Sequence, residues 1–402
     1  MTDPTGLIAR TRLLDRSGAP DLLAVAGDAG MLFARHGVGF AGRGVAARVP
    51  RADVSAALEA IARDDLVGLP GTGPLAFGAL PFLPGAPTDL LVPELLVGVD
   101  EQGRAWVTTV TPQADPTDPH EALAAALAGA RRPTPSDGPS SFTVAAARPP
   151  ADWEQAVATA TARIRAGELD KVVLARQVTV TADAPISVAT ILLRLSQQYP
   201  GCFLYLVDGY CGASPELLVG RSGDVVRAQP MAGTKPRRGD PESDAILADE
   251  LLASATYRHE HQVTIDAVHD TLLAFSSYVD YEPEPAVVPL ANVVHLATKV
   301  EAPGTDELAE ISREFERMLD VHPQIGRIVL AGVDLLHHAG NTHEVDAGAE
   351  FVGTDDRRTR NDQDGNRVVG LDDRIGDGTA PADMAETEGV VAVEQHTLGP
   401  AA

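Results

Sequence analysis

The run Lys171-Val172-Val173-Leu174-Ala175-Arg176-Gln177-Val178-Thr179-Val180 constrains the fold more than any other stretch of the chain. It is rich in β-branched residues and carries no Gly or Pro, so it reads as a strand. A helical pattern that opens at Asp152-Trp153-Glu154-Gln155 precedes it and stops at Gly167, a residue suited to a helix C-terminus. Period two places Lys171, Val173, Ala175, Gln177 and Thr179 on one face and Val172, Leu174, Arg176, Val178 and Val180 on the other. Lys171 therefore stands on the smaller, more polar side, at the head of the strand.

Strand and helix signals alternate through the rest of the chain. From Gly6 to Val110, short apolar runs (DLLAVAG, GMLFARHG, GPLAFGALPFL, ELLVGVD) are separated by Gly, Pro and Asp, which predicts strands joined by turns. One helix is expected near Ala52 to Arg63. The segment 131–150 is rich in Pro, Ser and Gly and reads as a connection across the surface, between an N-terminal part (1–130) and a central part (151–302). Within the central part, helices are predicted over Ile186 to Tyr199, Pro241 to Ala253 and Tyr257 to Ala274. Cys202 to Val207 and Tyr210 to Ala213 read as a hairpin turning at Asp208-Gly209. Residues 303–402 differ in kind. Aromatic residues end at Phe351, while Asp, Arg, Gly and Thr accumulate without period 2 or 3.6.

Bulk properties exclude some classes of function. A formal net charge of −25 opposes non-specific nucleic-acid binding and adsorption to an anionic membrane. It is compatible with a small anionic substrate, because local cations, a helix N-terminus or a bound divalent metal can reverse the field inside one pocket. With 44% apolar residues in 402, the chain can bury a substantial core. Cys202 and Cys211 are its two cysteines, too few for a disulfide framework, and they are expected to be reduced. No basic-then-apolar leader and no run of about 18 apolar residues is present, so a cytoplasmic protein is expected.

Several residues suggest chemistry, each with a plainer reading beside it. Lys171 can act as a base only if its surroundings lower its pKa, and a lysine at a strand edge also serves to block edge pairing. Ser214-Pro215-Glu216-Leu217-Leu218 supplies a carboxylate, in a pattern that also opens helices. Ala232-Gly233-Thr234 is a small-residue turn whose amides can approach a carboxylate. Glu260 shares a helical stripe with Val263, Thr264, Ala267 and Val268 and so faces packed protein. His259 and His261 flank it but point in other directions, which disfavours a zinc site.

In order along the chain, these motifs resemble one family, the chorismate-utilising enzymes, and within it the isochorismate synthases. The match runs through LARQV after Lys171, SPELL at 214–218, QPMAGTKP from Gln229, RHEH at 258–261 and Val294-His295-Leu296-Ala297-Thr298. Gly73 to Phe82 also resembles their N-terminal part. The resemblance implies an α+β chorismate-binding fold of face-to-face packed sheets with helices outside and an atypical C-terminal part. It implies chorismate as the substrate, Lys171 as the base that activates water for attack at C2, and Glu216 as the acid that protonates the departing C4 hydroxyl. Gly233 and Thr234 would seat the substrate, and Glu260 would hold a Mg²⁺ ion. The net reaction is an isomerisation, feeding quinone or siderophore synthesis. A monomer is expected. A salicylate synthase shares the lysine and adds pyruvate elimination.

The resemblance fades beyond residue 303. The family's HPTPAVGG segment, Tyr-Ala-Gly loop, substrate-binding arginine and terminal metal-binding helix are reduced to His322-Pro323-Gln324-Ile325-Gly326 and an echo at Asp383-Met384-Ala385-Glu386-Thr387. Asp383 and Glu386 stand three apart and would face one metal from a helix. Residues 303–402 are read as a divergent or frame-shifted tail, whose loss of family elements would leave a catalytically defective homologue.

Overall fold

The computed structural model describes residues 4–15, 19–81, 86–128, 139–168, 172–222, 225–237, 239–303, 333–334 and 389–398. The first part supplies strands β1 (Leu7–Leu13), β2 (Met31–Arg35), β3 (Val38–Arg43), β4 (Ala47–Pro50), β5 (Ala62–Asp65), β6 (Asp89–Val92), β7 (Leu95–Val99) and β8 (Ala105–Pro112). Helices α1 (Leu22–Ala26), α2 (Val54–Ala60) and α3 (Pro119–Leu127) lie among and after them. Next come β9 (Phe142–Ala146), α4 (Pro150–Arg165), β10 (Val172–Ala182), α5 (Val188–Gln198), β11 (Phe203–Val207) and β12 (Tyr210–Ser214). The remainder of the central part is β13 (Leu217–Ser222), β14 (Val225–Gln229), β15 (Met231–Pro236), α6 (Pro241–Ala253), α7 (Ala255–Leu273), β16 (Asp280–Tyr281), β17 (Ala286–Pro289), β18 (Val293–Ala297) and β19 (Val300–Pro303). Beyond residue 303 the described residues add β20 (Val333–Asp334) and β21 (Gly389–Leu398).

The fold is α+β, with mixed sheets and peripheral helices. A twelve-stranded sheet runs in the order β5-β1-β8-β7-β3-β2-β11-β12-β20-β21-β10-β9. A four-stranded sheet (β13-β14-β19-β16) and a three-stranded sheet (β15-β18-β17) carry the later motifs, and β4 pairs with β6. The main core lies between the large sheet and α1, α3 and α5. Alternate residues Leu32 and Ala34 of β2 and Leu204 and Leu206 of β11 turn the same way and meet Leu22, Val25, Leu123, Val188 and Leu192. Each of these Leu and Val side chains, buried, contributes about 1.5–3 kcal/mol of transfer free energy.

Turn chemistry fixes the register where the sequence said it would. Asp208 (φ 49°) and Gly209 (φ 84°) are both left-handed, so the two-residue turn matches the twist of β11 and β12 and pairs Val207 with Tyr210. Helix α4 ends as expected, with Gly167 at φ 71° just past its C-cap. Cys202 and Cys211 are buried and form no disulfide; burial pushes the Cys202 thiol up.

Four expectations are corrected. DLLAVAG is helix α1, not a strand: Asp21 accepts a hydrogen bond from Leu23 N (3.0 Å) and so caps a helical turn that an apolar run of this length leaves undecided. Among the described residues GPLAFGALPFL contributes only an isolated bridge between Phe77 and Leu91. The helix expected to Arg63 stops at Ala60, and Ala62–Asp65 instead pairs parallel with β1. Part of the surface connection, Phe142–Ala146, is an exposed strand at the edge of the large sheet, pairing with β10. The tail also does more than its composition suggested, since β21 runs antiparallel to β10 from Val172↔Leu398 to Thr181↔Gly389.

Candidate active site

The site grows from a break in two strands. Proline has no N–H to donate to a ladder, and Pro230 interrupts what would otherwise be one long strand running from β14 into β15. The pairing of β14 with β19 ends at Ala228↔Val300, and that of β15 with β18 resumes at Met231↔Ala297. Across the gap the Thr298 N–H donates to the Pro230 carbonyl (3.3 Å). The break divides the four-stranded sheet from the three-stranded one, and Met231 N is the first amide of β15 after it.

Glu216 takes up that amide. Ser214 ends β12 in the large sheet, Leu217 starts β13 in the four-stranded sheet, and Pro215-Glu216 makes the crossing. No helix starts there, so the helix-opening reading of Ser-Pro-Glu is replaced by a strand-to-strand passage. The Glu216 N–H donates to Ser214 Oγ (3.3 Å), which fixes the turn, and Glu216 Oε1 accepts from Met231 N (3.2 Å). The candidate acid is thereby tied to the first residue of the Met231-Ala232-Gly233-Thr234 motif.

Gly233 is a bulge. The register between β15 and β18 slips between Ala232↔Leu296 and Thr234↔His295, and Gly233 stands in the slip at φ 77°. A Cβ there would lie 3.3 Å from Cβ and 3.4 Å from the carbonyl oxygen of Tyr257, so only glycine lets β15 approach α7 this closely. The bulge re-aims Thr234, whose Oγ1 shares a 2.8 Å hydrogen bond with His295 Nδ1. Burial holds the His295 imidazole down to a pKa of about 4, so the ring is neutral near pH 7.

Helix α7 closes the third side. Ser254 caps it by accepting from Tyr257 N (3.4 Å), and its buried stripe runs Glu260, His261, Thr264, Ile265, Val268, Thr271 and Leu272. Glu260 is 9% exposed, as its stripe position predicted, one turn along the helix from Tyr257 and its contact with Gly233. The neighbouring His261 is 1% exposed and its Nε2 shares a 2.8 Å hydrogen bond with Thr298 Oγ1, beside the break. His259 lies on the exposed side of the helix.

The structure thus brings Glu216, Gly233, Thr234 and the α7 segment carrying Glu260 around one strand break. Lys171, Asp383 and Glu386 lie outside the described residues; Lys171 immediately precedes β10 in sequence. As a buried carboxylate, Glu260 is the hard oxygen donor that Mg²⁺ accepts. Among the described residues no group of three His, Cys, Asp or Glu side chains gathers. His261, Thr298 and His295 were carried in the RHEH and VVHLAT motifs without a role. Their contacts come from strand register and helix phase, which the sequence pattern did not relate to one another.

Comparison with known proteins identifies the family and the fold. A family model described as chorismate binding enzyme matches residues 47–323, well over half of the chain. MenF of Mycobacterium tuberculosis is 34% identical over 267 residues, covering 63% of this chain and 63% of that protein. Isochorismate synthase EntC of Escherichia coli is 31% identical over 239 residues, covering 58% of this chain and 56% of EntC. The chain therefore matches less than two thirds of the length of these relatives. The solved structure of MenF, the menaquinone-specific isochorismate synthase of Escherichia coli, superposes with a TM-score of 0.61 at 20% identity, covering 82% of this chain and 81% of that one. At that identity the likeness establishes the fold. No described helix is long and apolar enough to cross a membrane.

Proposed function

Since the chain belongs to the chorismate binding enzyme family, we propose that it is an isochorismate synthase, converting chorismate to isochorismate. The observation that carries this reading is the placement of Glu216: its carboxylate is held by Met231 N at the mouth of the Ala-Gly-Thr bulge, beside the helix that buries Glu260. An isomerisation across an allylic system needs one group that takes a proton and another that gives one. Lys171, as the neutral amine, takes a proton from water as the water oxygen bonds to C2. Glu216, as the carboxylic acid, gives its proton to the C4 hydroxyl, which leaves as water while the ring double bond shifts. One water enters and one departs, so the overall reaction is a rearrangement.

The other residues seat the substrate. The amides around Gly233 and the Thr234 hydroxyl offer donors to a carboxylate, and the neutral His295 ring fixes the Thr234 side chain while adding no charge. Glu260 would hold a Mg²⁺ ion, with Asp383 and Glu386 as further candidate ligands, and when bound the ion would neutralise and orient the ring carboxylate. The test is a pair of variants. Lys171→Ala and Glu216→Gln are each expected to lower kcat by about 10²–10⁴-fold, the usual contribution of one acid or base, with thermal unfolding close to that of the parent. Full activity in both variants would overturn the assignment.

A further inference from the structure

We infer that His261 is a positioning residue for Glu216, acting through Thr298 and the peptide group that joins Pro230 to Met231. The inference rests on the reading of Glu216 as the acid. His261 stands on α7 and Glu216 in the crossing between β12 and β13. What connects them is a chain of hydrogen bonds across the strand break. His261 Nε2 and Thr298 Oγ1 share a 2.8 Å hydrogen bond, both side chains being buried. Thr298 N donates to the Pro230 carbonyl at 3.3 Å. The N–H of the same peptide group, that of Met231, donates to Glu216 Oε1 at 3.2 Å.

The peptide is the coupling element. It is planar and trans, so its C=O and N–H point in opposite directions and turn together. Thr298 holds the carbonyl end and Glu216 the amide end. A rotation that loosens one contact therefore misaligns the other. The register Met231↔Ala297 sets Pro230 opposite Thr298, and because Pro230 has no N–H, this pair keeps a single bond, from Thr298 N to the Pro230 carbonyl. That bond holds the carbonyl end of the peptide to the partner strand. Thr298 is itself 0% exposed and directly follows β18, where its hydroxyl shares a hydrogen bond with the His261 ring of α7. The helix that carries Glu260 thus also sets, through the next residue, the orientation of the amide that holds Glu216.

Selective labelling reads this peptide directly. The chain has five methionines, so protein labelled with ¹⁵N-methionine gives a handful of amide resonances, and loss of one in Met231→Leu assigns Met231. Thr298→Val removes the hydroxyl at similar shape, and Thr298→Ser keeps it. Thr298→Val is expected to move the Met231 resonance in the direction that Glu216→Ala moves it, and Thr298→Ser to leave it in place. His261→Phe, which fills the same space without ring nitrogens, is expected to reproduce the Thr298→Val shift, and it serves if Thr298→Val does not fold. In turnover of chorismate, Thr298→Val and His261→Phe are expected to lower kcat by about five- to tenfold, the equivalent of one hydrogen bond, with KM within about twofold. A Met231 resonance unmoved in Thr298→Val and His261→Phe, while Glu216→Ala shifts it, overturns the coupling. If the parent turns over no chorismate, the functional reading fails, and the resonances still decide whether His261 orients this amide.

Discussion

Gly233 bears the tightest steric condition at the site. It occupies a left-handed backbone conformation at φ 77° and lies where a Cβ would press on Tyr257 at 3.3 Å. The conformation alone costs a non-glycine residue about 1–2 kcal/mol, so Gly233→Ala is expected to destabilise the protein by at least that much in urea unfolding, and to raise KM by displacing Thr234. An unchanged urea midpoint would show that the bulge tolerates a side chain. His295, a few ångströms away, gives a pH signature. Its value in the folded protein, about 4, lies below the 6.5 of an exposed imidazole because burial disfavours the cation. Between those values the unfolded chain binds more protons. The stability that His295 contributes is therefore complete above about pH 6.5 and is lost as pH falls towards 4. The difference in urea midpoint between pH 7 and pH 5 is expected to narrow in His295→Gln; an identical difference in variant and parent would count against a half-buried ring held neutral.

At the level of elements, what was legible depended on whether local chemistry alone decided the outcome. Asp208-Gly209 specifies a tight hairpin and delivers it, and Asp240-Pro241 begins α6 with a side-chain cap, so Pro241–Ala253 was readable to its ends. DLLAVAG was not readable, since five apolar residues suit a buried helix as well as a strand and only the Asp21 cap separates them. Strands β5 and β9 exist because β1 and β10 offer edges to pair with, a property of partners distant in sequence. The site shows the same division. Glu260 was placed by helical phase, which is local, whereas the grasp of Met231 N by Glu216 depends on two sheets meeting at Pro230. Helix α5 offers a test of the core that supports the large sheet. Leu192 is fully buried between α1 and β11, and Leu192→Ala is expected to cost about 2–5 kcal/mol of stability. A loss below about 1 kcal/mol would mean that the helix can collapse onto the space.

For the molecule as a whole, charge and site pull in opposite directions. A chain with a net charge of −25 takes a dianionic substrate only if local donors outweigh the general field. The Gly233 amide region, the Thr234 hydroxyl and a cation on Glu260 are the groups proposed to do so. The large sheet also joins the two ends of the chain. Strand β10, which begins just after Lys171 in sequence, pairs with β21 from the tail, so this strand is completed by residues beyond 303. The most direct measurement is therefore made on the intact chain: incubation with chorismate and Mg²⁺, with isochorismate, salicylate and pyruvate resolved by chromatography. Isochorismate formed without pyruvate is the expected result. Salicylate with an equal amount of pyruvate, or no consumption of chorismate, would contradict it.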